Sequence, residues 1–253
     1  MVLGIIVMDF SGSMTDPAFP NEPEYTKTKA SVVASALKSS IIEIKSMSKA
    51  DKAYVALIGF TGDAKLLGVF KASEINESIQ YWNNWFRDSM SDVCESYGYG
   101  TNIDRALKLA REIYDGALQG NLESYKIYNF APMYHNVAVG SDIYEVANVR
   151  VFVYSDGLVG GFTNYFENAS LIPGRTNVSG VTSAFLGNVE DDGYQTMESI
   201  AGVCPIHGVK AVIHVNQSKY YDHLRDLFHM ASSTSGFCVE CAKSGKSVSL
   251  GKR

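Results

Sequence analysis

Apolar residues fall in short runs that alternate with amphipathic stretches along most of this chain. Val2, Leu3, Ile5, Ile6 and Val7 form a near-continuous apolar run, which predicts a parallel strand buried on both faces. Between Glu24 and Met47, residues Val32, Val33, Ala36, Leu37, Ile41 and Ile44 recur at three- and four-residue steps, the period of a helix. Ala53 to Phe60 reads as a second strand and Leu66 to Phe70 as its antiparallel hairpin partner. Ser73 is a candidate N-cap for a helix through Phe86, and Asn102 to Tyr114 carries a second amphipathic face. Residues 116 to 147 have no clean period and read as an insertion. Beyond it the pattern predicts strands at Val149 to Tyr154, Val181 to Leu186 and Val209 to Val215. Helices are predicted at Thr163 to Leu171, Gly193 to Val203 and Ser218 to Ala231.

Strands separated by helices call for an α/β fold: a doubly wound, mainly parallel six-stranded sheet with helices on both faces. Hydrophobic residues at 46% and charged residues at 19% suit an ordinary folded domain, here one domain over 1–241 with an insertion at about 116–148. Residues 242–253 form a basic tail expected to be frayed. A net charge of −5 without a basic stripe argues against nucleic acid as the main partner. No run of eighteen apolar residues is present to span a membrane, and Met1 leads into the first strand without a basic leader, so a cytoplasmic location is expected.

At the end of the first strand the polarity switches abruptly, into Asp9-Phe10-Ser11-Gly12-Ser13. One carboxylate and two hydroxyls at alternate positions of a tight turn form a ligand set that a hard divalent cation accepts. Gly100-Thr101-Asn102 precedes a predicted helix, and Ser155-Asp156-Gly157 ends the fourth strand. Each piece alone is a weak signal. Together, in this order and at these element ends, they resemble the metal-ion-dependent adhesion site of von Willebrand factor A domains. The plainer alternative is a serine-rich turn on a doubly wound fold.

The resemblance covers nearly the whole chain and implies strand order 3-2-1-4-5-6 with only the third strand antiparallel. It implies hydroxyl ligands at Ser11, Ser13 and Thr101, with Asp9 and Asp156 supplying charge directly or through water. The implied ion is Mg²⁺, with Mn²⁺ or Ca²⁺ as alternatives, and one position stays open for an acidic side chain of another protein. Intracellular members of the family serve as adaptors, for AAA+ ATPases, in chelatase-type complexes or in stress-response systems such as the tellurium-resistance group. Tyr97 and Tyr99 enter the Thr101 loop, where they would rim the ion and touch a partner, or pack the loop.

No histidine neighbours the motif, Ser11 and Ser13 have no general base nearby in sequence, and no P-loop occurs. Binding is therefore expected over catalysis. The alternative is a metal-dependent phosphoester hydrolase using the same Asp9–Asp156 pair. A further cluster of acidic or histidine ligands beside the ion would favour hydrolysis, and an aromatic rim would favour binding.

A second constellation lies toward the C-terminus. Cys204 and His207 form a Cys-x-x-His pair, and Cys238 and Cys241 a Cys-x-x-Cys pair. Each spacing lets two ligands from one turn chelate Zn²⁺, which favours four sulfur or nitrogen ligands in tetrahedral array. Topology places both pairs at the amino-terminal edge of the sheet, so a zinc ion there would pin segment 204–241. Packed thiols, or a redox disulfide within Cys238–Cys241, are the alternatives. Cys94 is expected to be a packed or partly exposed thiol, and His214 a core or face histidine.

Overall fold

The structure is a computed structural model that describes residues 1–24, 26–45, 50–132, 134–139, 141–157, 161–169, 171, 180–187, 192–204, 206–220 and 238. Its strands, in chain order, are β1 (Val2–Asp9), β2 (Ala53–Phe60), β3 (Ala64–Lys71), β4 (Tyr134–Val139), β5 (Asp142–Ala147), β6 (Val149–Ser155), β7 (Val181–Phe185) and β8 (Val212–His214). Six of them form a sheet in the order β3-β2-β1-β6-β7-β8, while β4 and β5 pair separately as a hairpin. Only β3 runs antiparallel to its neighbour in the six-stranded sheet. Counting the sheet's own strands alone, this is the expected order 3-2-1-4-5-6.

The strand period of two sorts β1 between two core layers. Leu3, Ile5 and Val7 join Ile103, Leu107 and Ile113 on one face, and Ile6 and Met8 join Val32, Leu37, Ile41 and Trp82 on the other. The helices covering the sheet are α1 (Lys29–Lys45), α2 (Ile79–Tyr97), α3 (Ile103–Gln119) and α4 (Asp192–Ile200). No described helix is long and apolar enough to cross a membrane.

Several element boundaries differ from the sequence reading, each for a local reason. α1 begins at Lys29 rather than near Glu24, because the Thr28 hydroxyl accepts from Ser31 N at 3.2 Å and caps the helix there. Ser73 lies in a 3₁₀ turn, and Ser78 is the N-cap of α2, accepting from Tyr81 N at 3.2 Å. That helix continues past Phe86 to Tyr97, its sparse apolar face completed by Val93 and Cys94. α3 runs on past Tyr114 to Gln119, burying Ala117 and ending at the left-handed Gly120. The stretch read as irregular holds the β4–β5 hairpin. Thr163 to Leu171 forms turns rather than a helix over its described part, with the Asn164 side chain accepting from Phe166 N at 3.1 Å. β8 is shorter than predicted because Val203 bridges Lys210 and Cys204 N bonds Val209 O, drawing Val209 and Lys210 into a turn. Of the predicted last helix, Ser218–Tyr220 form a 3₁₀ turn, and the rest of that stretch lies outside the described residues.

Where β6 ends, its exit touches the first turn of α4 through two glycines. Gly157 has φ +66, and a Cβ there would run into the Gly193 backbone, while one on Gly193 would run into Asp156 O. We expect Gly157→Ala to cost more than about 2 kcal/mol, since both the left-handed backbone and the contact are violated. Gly98, at φ +75 and ψ −165 with open space around it, is the control: its alanine variant meets the backbone cost alone and should destabilise less than Gly157→Ala. Urea denaturation decides the matter: equal costs at both positions would show that the β6–α4 approach is not tight.

Candidate metal centre

In an open α/β sheet, ligands gather beyond the carboxyl ends of the strands, where the strand order reverses. Here that point lies between β1 and β6, because the chain leaves β1 for β2 on one side and β6 lies on the other. The β1–β6 register pairs Met8 with Tyr154, so Asp9 and Ser155 follow side by side. Ser155 Oγ donates to Asp9 Oδ2 at 2.5 Å, and Ser11 N donates to Asp9 Oδ1 at 2.8 Å. Both oxygens of this carboxylate are thus fixed. Asp9 and Asp156 are each only 2% exposed.

The other predicted residues lie in segments next to this pair, the turn after β1 and the loop before α3. Ser11 Oγ and Ser13 Oγ lie 3.2 Å apart, in the 3₁₀ turn that follows β1. The Thr101 loop is tied down on both sides: Gly12 N donates to Tyr99 O at 3.3 Å and Asn102 N to Thr61 O at 2.6 Å. Thr101 itself is half-buried between these two bonds. Thr61, fully buried at the end of β2, adds a hydroxyl that has no hydrogen-bond partner among the described residues. Tyr99 is 72% exposed and Tyr97 37%, although Tyr97 belongs to the last turn of α2 rather than to the loop.

Two residues absent from the predicted set complete the cluster. Ser155 is one. Lys29 is the other: its Nζ donates to Asp156 Oδ2 at 3.0 Å, with the lysine side chain 12% and the aspartate 2% exposed. Lys29 opens α1, where the helix dipole disfavours a cation. With the helix read from near Glu24, Lys29 did not stand at a helix start in the sequence, and nothing local pointed to a partner 127 residues away.

Burial pushes the Asp9 carboxyl up to about 6, against the lowering effect of the Ser11 and Ser155 hydrogen bonds and with a smaller push from Asp156. Two buried carboxylates with hydroxyls beside them form an all-oxygen donor set, which fits a hard divalent cation such as Mg²⁺, Mn²⁺ or Ca²⁺. The cation would be held by Asp9, Ser11, Ser13, Thr101 and Asp156.

The remaining single residues also have places. Cys94 is buried, with its thiol 3.6 Å from Phe10 O. His214 Nε2 contacts Gly187 O at 2.6 Å and its ring packs on Phe185. Cys204, His207 and Cys238 come together at the opposite end of the sheet, and Cys241 lies outside the described residues.

Solved structures with a similar course of chain include the conserved hypothetical protein BatB from Bacteroides thetaiotaomicron. It is 14% identical, with 91% of this chain and 98% of BatB covered and a TM-score of 0.50. The pilus adhesin SpaC from Lactobacillus rhamnosus GG is also 14% identical, covering 92% of this chain and 31% of SpaC, with a TM-score of 0.50. A von Willebrand factor type A protein from Catenulispora acidiphila is 14% identical over 91% of this chain and 42% of its own, with a TM-score of 0.44. This chain shares the doubly wound α/β fold of BatB and SpaC. It spans less than half the length of the last two of these proteins. No family profile matches the sequence, and no curated protein does either.

The raised pKa of Asp9 has a signed consequence. A carboxyl with a folded value of about 6 against an ordinary 3.8 holds its proton more tightly when folded. Its stabilising contribution is complete below about pH 4 and lost as pH rises through about 6, so at pH 7.5 the ionised group costs on the order of 3 kcal/mol. Asp9→Asn should therefore unfold at a higher temperature than the wild type in EDTA at pH 7.5, with the advantage shrinking toward pH 4. Added Mg²⁺ should stabilise the wild type alone. Melting curves with the same pH dependence and the same Mg²⁺ response in both proteins would contradict this.

Proposed function

We propose that this protein is a divalent-cation-dependent protein-binding module that holds an aspartate or glutamate of its partner. The observation that carries this reading is the pair of buried carboxylates, Asp9 and Asp156, set among hydroxyls and matched by one lysine. Above pH 6 the two carboxylates outweigh Lys29 by one negative charge. A bound divalent cation turns that deficit into one net positive charge and supplies an electrophilic contact for a carboxylate. Ser11 N and Ser155 Oγ hold Asp9 in one orientation, and Lys29 does the same for Asp156, so the ligands need little reorganisation.

The surroundings support an entering acidic side chain. A cleft of about 300 Å³ beside Lys29 is lined by Pro17, Ala18, Gly187 and Asn216, with Asp16 at its exposed rim. The exposed Tyr99 ring offers the aromatic contact common at protein interfaces. The same fold in a pilus adhesin is in keeping with a binding role, while the reading itself rests on the side chains.

Hydrolysis has less support. Among the described residues, the one cluster of three or more cysteine, histidine or acidic ligands is Cys204, His207 and Cys238, at the other end of the sheet. The partner is proposed only as a protein presenting an exposed acidic residue. No feature of the site points to an AAA+ ATPase.

Selection of displayed peptides on the Mg²⁺-loaded protein tests this reading. Enriched peptides should share an aspartate or glutamate that cannot be replaced by its amide. Their binding should be lost in EDTA and weakened at least tenfold, about 1.4 kcal/mol, by Thr101→Ala. Peptides that survive both treatments would place binding on another surface and overturn the proposal.

A further inference from the structure

The polar turn before β8 brings together side chains that the carboxylate site does not use. Cys204 O accepts from Gly208 N and Cys204 N donates to Val209 O, both at 2.8 Å, and Gly208 takes φ +68 to close the turn. This geometry folds His207 back over Cys204, with Cys204 Sγ 3.6 Å from His207 Nδ1. Cys238 approaches from 31 residues further along, its Sγ 3.4 Å from the same nitrogen. All three ligand atoms lie within 4.8 Å of one another, and both sulfurs are buried, Cys204 at 0% and Cys238 at 2% exposure.

We infer that Cys204, His207 and Cys238 hold a structural zinc ion. Zn–S bonds of about 2.3 Å and Zn–N bonds of about 2.0–2.1 Å at tetrahedral angles put neighbouring sulfur and nitrogen atoms about 3.6 Å apart. The two observed sulfur–nitrogen separations, 3.6 and 3.4 Å, match that edge. Sulfur and imidazole donors also select Zn²⁺ over Mg²⁺, the reverse of the all-oxygen set around Asp9. Cys241, the partner in the Cys-x-x-Cys spacing, lies outside the described residues.

The position explains what the ion does. The turn lies at the amino end of β8, whereas Asp9 lies at the carboxyl end of the parallel strand β1, so the two centres sit at opposite ends of the sheet. Cys204 and Cys238 pack in the core layer shared with α3, Ala211 and Met197. The zinc therefore staples the chain near residue 238 to the body of the domain. Both sulfurs are buried in that layer rather than lining a cleft, which suits a structural role.

The test is elemental analysis of the full chain purified without chelators, together with reconstitution of the metal-stripped protein with Co²⁺. The expected result is one zinc per chain, retained when Mg²⁺ is removed and retained in Asp9→Asn. Co²⁺ should give visible bands of tetrahedral thiolate coordination. Cys238→Ser should lose the zinc and open the C-terminal segment to protease while Mg²⁺-dependent stabilisation persists. If that variant fails to fold, the wild-type Co²⁺ spectrum and zinc content decide alone. Zinc far below stoichiometry, with no thiolate bands from Co²⁺ and thiol reactivity unchanged by chelators, would overturn the inference and leave a packed thiol–imidazole cluster.

Discussion

Two carboxylates, Asp9 and Asp156, are kept almost entirely from water at the ends of neighbouring parallel strands, and most of the structure around them answers that constraint. A buried carboxylate is costly unless hydrogen-bonded or paired, and two of them side by side repel. The β1–β6 register delivers Ser155 to Asp9, and the turn after β1 delivers the Ser11 amide. The opening residue of α1 delivers an ammonium to Asp156. These contacts leave Asp9 under-compensated, as its upward shift to about 6 shows. A site in this condition gains more from a divalent cation than a solvated carboxylate pair would.

The same constraint links the site to the packing of the whole domain. α1 has to start where Lys29 reaches Asp156, and its Val32, Leu37 and Ile41 then set its seat on the sheet. The exit from β6 has to pass close to α4, which requires glycine on both sides at Gly157 and Gly193. Tyr99 and Asn102 pin the loop between α2 and α3 to the turns after β1 and β2, so that the Thr101 hydroxyl arrives with the α3 cap. The opposite sheet end has its own donor set of sulfur and nitrogen. Donor sets this different would keep an oxygen-bound and a sulfur-bound cation from competing for the same site.

The central strands were legible from the sequence because β1, β2 and β6 are buried on both faces and so read as unbroken apolar runs. The burial of Asp9 and Asp156 at neighbouring strand ends was legible because each follows such a run, and the predicted Ser11 and Thr101 segments are tied together there through Gly12 and Tyr99. Lys29 and Ser155 were not, since their roles depend on a long-range ion pair and on strand register. The β4–β5 hairpin escaped notice because its exposed positions do not alternate cleanly with buried ones. The second half of α2 was missed because its buried face there is only Val93 and Cys94. Capping side chains at Thr28 and Ser78, rather than the apolar period, decided where two helices begin.

The central claim, that the Asp9–Asp156 cluster is a cation site, is tested most directly by an anomalous-difference map from crystals grown with Mn²⁺. The account predicts a single strong peak among Asp9, Ser11, Ser13, Thr101 and Asp156, lost in crystals of Asp9→Asn. A map with no peak at the carboxyl ends of β1 and β6, at a Mn²⁺ concentration that saturates ordinary oxygen-donor sites, would contradict it.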